Sequence, residues 1–341
     1  MKNFLLFIVV SLFALNACAV YTHHQIPYKK YIEAARQFNA VVKIQALDYH
    51  GRVKASGSGV WVQNSVGKKF ILTASHVLRE GASYKVLTSA GAFVVKKVEH
   101  FEEFILNRYT KDYAITVSNA RTGERMFGVR LNHEPDLQEA LRSYGLDLAI
   151  AFIDDIPGVK PYQIADKKPV TSFGWAVGYG ESGAGGNLGM LTGLIRGSGV
   201  RKAFNPEVQP YYHLTFTHIL SGQKQVFTLL GSTFHEIKAN RLEGQVGPGD
   251  SGGPLIYPHA NERWQVGGVI CSALPRIHTN AFKNEDSFWA RLIRKIGKMG
   301  ESRTPLSYLL WQEGNIYGSE GHYIDLTSPL VQEWINDLNG N

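Results

Sequence analysis

The chain has 341 residues, 44% hydrophobic and 19% charged, with 35 glycines and 11% aromatics. At about 150 residues per domain the length predicts about two domains, and the composition excludes disordered, collagenous and coiled-coil chains. The formal net charge is +7, yet the basic residues are scattered (the densest group is Arg291, Arg294, Lys295 and Lys298), so no basic stripe marks a nucleic-acid partner.

In chain order, Lys2 precedes an apolar run from Phe4 to Leu15. Crossing a bilayer takes about twenty residues, whereas an export-signal core takes about seven to fifteen, so residues 1–17 read as a signal peptide. The run ends in Leu15-Asn16-Ala17-Cys18, which resembles the lipobox of bacterial lipoproteins. That resemblance implies cleavage before Cys18, lipid on its sulfur and amine, and a membrane partner through that anchor. The expected location is the cell envelope, as an outer-membrane lipoprotein facing the periplasm or the surface. An ordinary secretory signal with Cys18 incidental is the alternative, and either way the mature chain is exported. Cys18 and Cys271 cannot build a disulfide framework. Residues 18–40 read as a solvated tether; its adjacent His23 and His24 make poor metal ligands.

From Val41 the pattern changes to short β runs: Val41–Leu47, Ser58–Val62, Phe70–Thr73, Tyr84–Thr88, Phe93–Phe101 and Tyr113–Ser118. A second set follows at Ala176–Tyr179, Leu191–Arg196, Tyr211–Thr217, Gln225–Leu230, Leu255–Tyr257 and Gln265–Cys271. Strands this short and regular predict barrels or sandwiches. Ser328-Pro329 then starts a helix whose apolar face is Leu330, Val331, Trp334, Ile335 and Leu338.

Gly249-Asp250-Ser251-Gly252-Gly253-Pro254 is the most informative string in the chain. A nucleophilic serine must stand free at a tight turn, with backbone N–H groups aimed at the developing oxyanion. Glycines allow the required φ and clear the substrate's path. Upstream, Ile71-Leu72-Thr73-Ala74-Ser75-His76-Val77 sets a histidine at the end of an apolar strand, and Gly145-Leu146-Asp147-Leu148-Ala149-Ile150 sets an aspartate at the head of another.

His, Asp and Ser in this order and these contexts resemble the trypsin/chymotrypsin-like serine peptidases over roughly residues 41–338. The resemblance implies an all-β fold of two six-stranded antiparallel barrels with a C-terminal helix, divided as 41–165 and 166–341, and a site in the cleft between them. It implies Ser251 as nucleophile, His76 as general base and then acid, Asp147 as the group that orients the imidazole, and Gly249 and Ser251 N–H groups as the oxyanion hole. Asp112, in Lys111-Asp112-Tyr113, is a rival acid. Asp147 is preferred because Phe173–Gly180 after it resembles the strand opening the family's second barrel, which makes residues 102–144 an inserted hairpin and loop.

The family alignment also puts Gln245 near the base of the primary specificity pocket and Ala273 on its wall, with Cys271 and Ser272 on the strand that pairs with substrate backbone. An uncharged Gln245 implies an apolar or small polar side chain at the cleaved position. No segment like Ile-Val-Gly-Gly precedes Val41, so Asp250 cannot be held by a freshly cut N-terminal amine and needs another donor; no activating cleavage is expected. Between Leu274 and Tyr323 an amphipathic basic helix around Phe288, Trp289, Leu292 and Ile293 reads as a lid, a buttress or a membrane-surface contact.

Gly178-Tyr179-Gly180 begins a dinucleotide-like glycine pattern, but no helix or ribose-binding acid follows it, and His235-Glu236 lacks the second histidine of a zinc-protease motif. The expectation is therefore an exported serine endopeptidase acting on protein or peptide without metal or cofactor. An esterase-like hydrolase with the same three residues, or an inactive peptidase fold serving as an envelope binding module, are the alternatives. Oligomeric state is not legible.

Overall fold

The computed structural model describes residues 20–22, 26–79, 81–109, 113–130, 146–180, 182–184, 200–233, 242–247, 249–259, 264–274 and 320–338. The expected signal core, Cys18, His23 and His24, Asp112, the strand at 191–196 and the basic helix lie outside them. Among the described residues no helix is long and apolar enough to cross a membrane.

The chain opens with β1 (Val20–Thr22) and α1 (Tyr28–Ala35). The expectation of a solvated tether at 18–40 needs correction here. Tyr31, Ala35 and Phe38 are buried, the Tyr31 hydroxyl donates to the Glu243 carbonyl at 2.5 Å, and Phe38 packs on Trp175 and Trp264 with ring centroids 5.8 and 5.0 Å away. Burying large apolar side chains at about 1.5–3 kcal/mol each holds such a segment down despite its polar neighbours.

The first half then runs β2 (Val41–Leu47), β3 (Val53–Gln63), β4 (Lys69–Thr73), a 3-10 turn (Ser75–Leu78), β5 (Ser83–Thr88), β6 (Gly91–Val94) and β7 (Lys97–His100). The single strand expected at Phe93–Phe101 is broken. The backbone N–H of Val95 turns to Tyr84 and that of Lys96 to Phe152, and Phe101 starts a helix, α2 (Phe101–Tyr109), whose first turn holds Glu102 and Glu103. Carboxylates there oppose the helix dipole favourably.

Next come β8 (Tyr113–Asn119), β9 (Arg125–Arg130), β10 (Ala149–Phe152) and β11 (Tyr162–Ile164). β8 and β9 pair antiparallel as a hairpin within the stretch expected to be an insertion. β8 pairs antiparallel with a strand of the second half, from Tyr212 opposite Asn119 to His218 opposite Tyr113.

The second half comprises β12 (Trp175–Gly178), β13 (Ser182–Ala184), β14 (Lys202–Phe204), β15 (Val208–His218), β16 (Lys224–Thr233), β17 (Gly244–Gln245), β18 (Pro254–Tyr257), β19 (Gln265–Leu274) and β20 (Glu320–Asp325). α3 (Pro329–Asp337) closes it, burying Leu330, Val331, Trp334 and Ile335. Ser328 does not cap this helix through its side chain; its Oγ accepts from the Thr228 N–H at 3.1 Å and ties the helix start to β16.

The protein is thus mostly β-sheet. Among the described residues seventeen strands form one continuous hydrogen-bonded network, and β13, β1 and β17 a small separate sheet. The pairing does not itself separate two six-stranded barrels, because β8 joins β15 and β11 pairs in parallel with both β3 and β19. The larger core cluster likewise takes side chains from both halves, including Trp61, Phe70 and Ile150 with Phe216, Phe227 and Trp334.

Candidate active site

The positions of His76 and Asp147 follow from strand register. β4 and β10 run antiparallel with Thr73 opposite Ala149. Continued past the strand ends, the same register sets Ser75 against Asp147, and the Ser75 N–H does donate to the Asp147 carbonyl at 3.1 Å. The next residue, His76, then makes two bonds to one carboxylate: its backbone N–H to Oδ1 at 2.8 Å and its ring Nδ1 to Oδ2 at 2.5 Å. An ionised carboxylate only accepts, so the ring proton lies on Nδ1 and Nε2 is left as the basic nitrogen. Asp147 is buried while the His76 side chain is 44% exposed.

Behind this pair is a polar cluster for which the sequence offered no signal. Ser75 Oγ is 2.7 Å from His100 Nδ1 and donates to Glu102 Oε1 at 3.0 Å. Arg79 pairs with the fully buried Glu102. Burial, and next the Arg79 charge, hold the His100 ring below its usual value, against the raising effect of Glu102, Glu103 and Asp147.

The Ser251 turn is fastened to the first half by Ser58. The Ser58 N–H donates to the Ser251 carbonyl at 2.8 Å, its Oγ donates to the Gly249 carbonyl at 2.9 Å, and the Tyr179 N–H donates to that Oγ at 2.8 Å. Thr73 Oγ1 donates to the Ser58 carbonyl at 2.7 Å, closing the link to the strand that carries His76. Two glycines in the turn are left-handed, Gly249 at φ 87° and Gly252 at φ 84°. Gly57 marks the convergence: a Cβ there would lie 2.7 Å from Val77 Cγ1 and 3.2 Å from the Ser251 carbonyl. The turn thus packs directly beside the neighbour of His76.

Ser58→Ala deletes one hydroxyl that both donates and accepts. It should cost about 1 kcal/mol, because the Gly249 carbonyl loses its partner in a partly buried place. A urea unfolding midpoint reads this directly, and an unchanged midpoint would deny the hydroxyl any part in fastening the turn.

Asp250 is fully buried. Gly180 N–H donates to its Oδ1 at 2.8 Å and Gly247 N–H to its Oδ2 at 3.1 Å. Burial pushes this carboxyl up to about 6, against the lowering effect of the Lys202 charge and then of the two N–H groups.

The expected specificity residues are placed as follows. Gln245 is fully buried on β17, its Oε1 accepts from the Val246 N–H at 2.9 Å, and a Cβ on Gly321 would come within 2.4 Å of that oxygen. Cys271 is buried on β19, with Sγ 3.4 Å from the His322 carbonyl; burial first and then the Asp147 charge push its thiol up. That is the behaviour of a packed small hydrophobe. Ser272 is exposed and its Oγ lies 3.0 Å from His322 Nδ1, and Ala273 pairs with Gly321. His76 and Asp147 are therefore bonded, and the Gly249–Ser251 turn packs beside them. Among the described residues no group of three or more His, Cys, Asp or Glu side chains could hold a metal ion.

No family model matches the chain, and no curated protein matches it. Solved structures similar to it include the Rv3671c protease from M. tuberculosis in its active form, 18% identical over 73% of this chain and 76% of that one, TM-score 0.37. The inactive form of the Rv3671c protease is 17% identical over 74% and 86%, TM-score 0.34. The serine endoprotease from Yersinia pestis is 15% identical over 74% and 58%, TM-score 0.35.

Proposed function

We propose that this chain is an exported serine endopeptidase in which Ser251 attacks, His76 moves the proton and Asp147 holds the imidazole. The observation that carries the reading is the pair of hydrogen bonds from His76, one through the ring and one through the backbone, to the Asp147 carboxylate, beside a serine turn pinned by Ser58. In the proposed reaction Ser251 Oγ bonds to the scissile carbonyl carbon and its proton passes to His76 Nε2. N–H groups of Gly249 and Ser251 would hold the oxyanion. Collapse returns the carbonyl and breaks the C–N bond, the amine leaving with the proton from His76. Water then repeats the sequence on the acyl-enzyme and frees Ser251.

The proposal extends to the two-barrel architecture. In the first half the pairing order β7–β10–β4–β3–β2–β5–β6, whose two ends are separated by only two residues of chain, supports it. It also includes export by residues 1–17 and lipid attachment at Cys18, on the sequence pattern alone. Ser272 and Ala273 would contact the substrate, whereas burial keeps Gln245 and Cys271 from touching it in this arrangement.

Hydrolysis of unfolded protein and of matched ester and amide substrates by the parent and by Ser251→Ala tests the reaction class. Cleavage of the amide that vanishes in Ser251→Ala is expected. Ester turnover with intact amides would indicate an esterase, and no turnover of either by folded protein a binding module.

A further inference from the structure

We propose that Lys202 is an internal counter-ion which, by holding Asp250, fixes the serine turn from inside the fold, making Lys202 a positioning residue for the reaction. The inference rests on the reading of Ser251 as the nucleophile.

Asp250 stands between the two residues whose N–H groups would receive the oxyanion, Gly249 and Ser251. Its carboxylate lies against the Gly178–Gly180 segment. A Cβ on Gly178 would lie 2.2 Å from Asp250 Oδ1, and one on Gly180 2.6 Å from the same atom. The glycine pair that looked like a failed nucleotide motif is therefore the floor on which this carboxylate lies. Any side chain at either position would evict it.

A carboxylate taken wholly out of water is compensated by hydrogen-bond donors and, more strongly, by a cation taken out with it. Lys202 is fully buried on β14, a strand held beside β12 by the Lys202–Gly178 pair. Its ammonium donates to the Gly180 carbonyl, the same residue whose N–H binds Asp250. One peptide segment thus links cation and anion. Among the described residues the Tyr323 phenol on β20 also faces Asp250; it is raised chiefly by its own burial and brings no positive charge.

The turn is closed around this point by Asp250 N–H to Gly247 carbonyl at 3.0 Å and Gly253 N–H to Asp250 carbonyl at 2.8 Å. Moving the carboxylate therefore moves Gly249 and Ser251. Because the cation comes from the chain's interior, the turn needs no newly cut terminus to assemble.

The test compares the parent, Lys202→Met and the double variant Lys202→Met/Asp250→Asn, each as full chain, by unfolding across pH 5.5–8.5 and by the rate of fluorophosphonate labelling. Removing Lys202 raises the folded-state value of Asp250 further. In the window above about 6, where the parent carboxylate is ionised and stabilised by the Lys202 charge, Lys202→Met should lose folding stability relative to the parent as pH rises. The loss approaches tenfold in the folding equilibrium per pH unit until its own carboxyl ionises.

Labelling of Lys202→Met should fall at least about tenfold at pH 8 and recover toward acid relative to the parent. The double variant should regain stability and lose the extra pH dependence. A deficit in Lys202→Met that is the same at every pH, or a double variant no more stable than the single one, overturns the proposal. These stability readouts do not require catalysis. A parent that never labels overturns the reading of Ser251 while leaving the test of the Lys202–Asp250 pair intact.

Discussion

Replacing Gly252 by alanine is expected to cost about 4 kcal/mol or more and to abolish most hydrolysis. A Cβ at this position would lie 2.0 Å from Thr73 Oγ1, 2.2 Å from the Ser58 carbonyl and 2.8 Å from the Ala74 N. Two of those three atoms are backbone and cannot rotate away. The Gly252 N–H is also bonded to the Ile270 carbonyl at 2.7 Å, so the turn is gripped from the opposite side as well. Relief requires the serine turn to withdraw from the strand that leads to His76. A displacement on the order of 1 Å at a reacting group can cost about a hundredfold in rate, and steric overlap in a packed site belongs to the class of substitutions with the largest stability losses.

Gly222→Ala is the matched control. Gly222 has φ 69° with nothing within 4 Å of a built Cβ, so it should show only the conformational cost of about 1–2 kcal/mol. Denaturant unfolding of both variants separates strain from overlap; equal losses would mean that the close approach of the turn to β4 is not real.

Asp147→Asn should lower turnover by roughly 10⁴-fold while leaving the fold and KM nearly unchanged. The asparagine carbonyl can still accept from the His76 backbone N–H, the bond now seen at 2.8 Å. Its amide nitrogen is a donor and cannot accept from ring Nδ1–H, so the imidazole must shift its proton to Nε2. That removes the basic nitrogen from the side available to Ser251. Asp112→Asn is expected to turn over like the parent. Steady-state kinetics on one peptide substrate decide between them, and a normal kcat in Asp147→Asn would transfer the role to Asp112.

The parts of this site legible in the sequence are those carried by local patterns. β2 spans Val41–Leu47 as its alternation implies, and the apolar run before His76 and the one after Asp147 become the paired strands whose register brings those residues together. The glycines of the serine turn are intelligible because left-handed φ is a local property. Partners distant along the chain have no such signature. Ser58 reads as one more polar residue in a strand, yet its hydroxyl meets a carbonyl 191 positions away.

Lys202, between Arg201 and Ala203, looks like a surface cation until tertiary packing buries it. The tether was misjudged for the same reason: Tyr31 is anchored by a carbonyl 212 residues downstream, and a short, partly charged segment does not announce that it will be covered. Glycines 178 and 180 mislead in the opposite direction. Their spacing suggests a phosphate, whereas what they accommodate is a carboxylate from the same chain.

The measurement bearing most directly on the central claim is mass spectrometry of intact and digested protein after reaction with a fluorophosphonate. One covalent adduct is predicted, on Ser251, absent from Ser251→Ala and strongly slowed in Asp147→Asn. An adduct that persists in Ser251→Ala, or parent protein that is folded and stays unmodified, would contradict it.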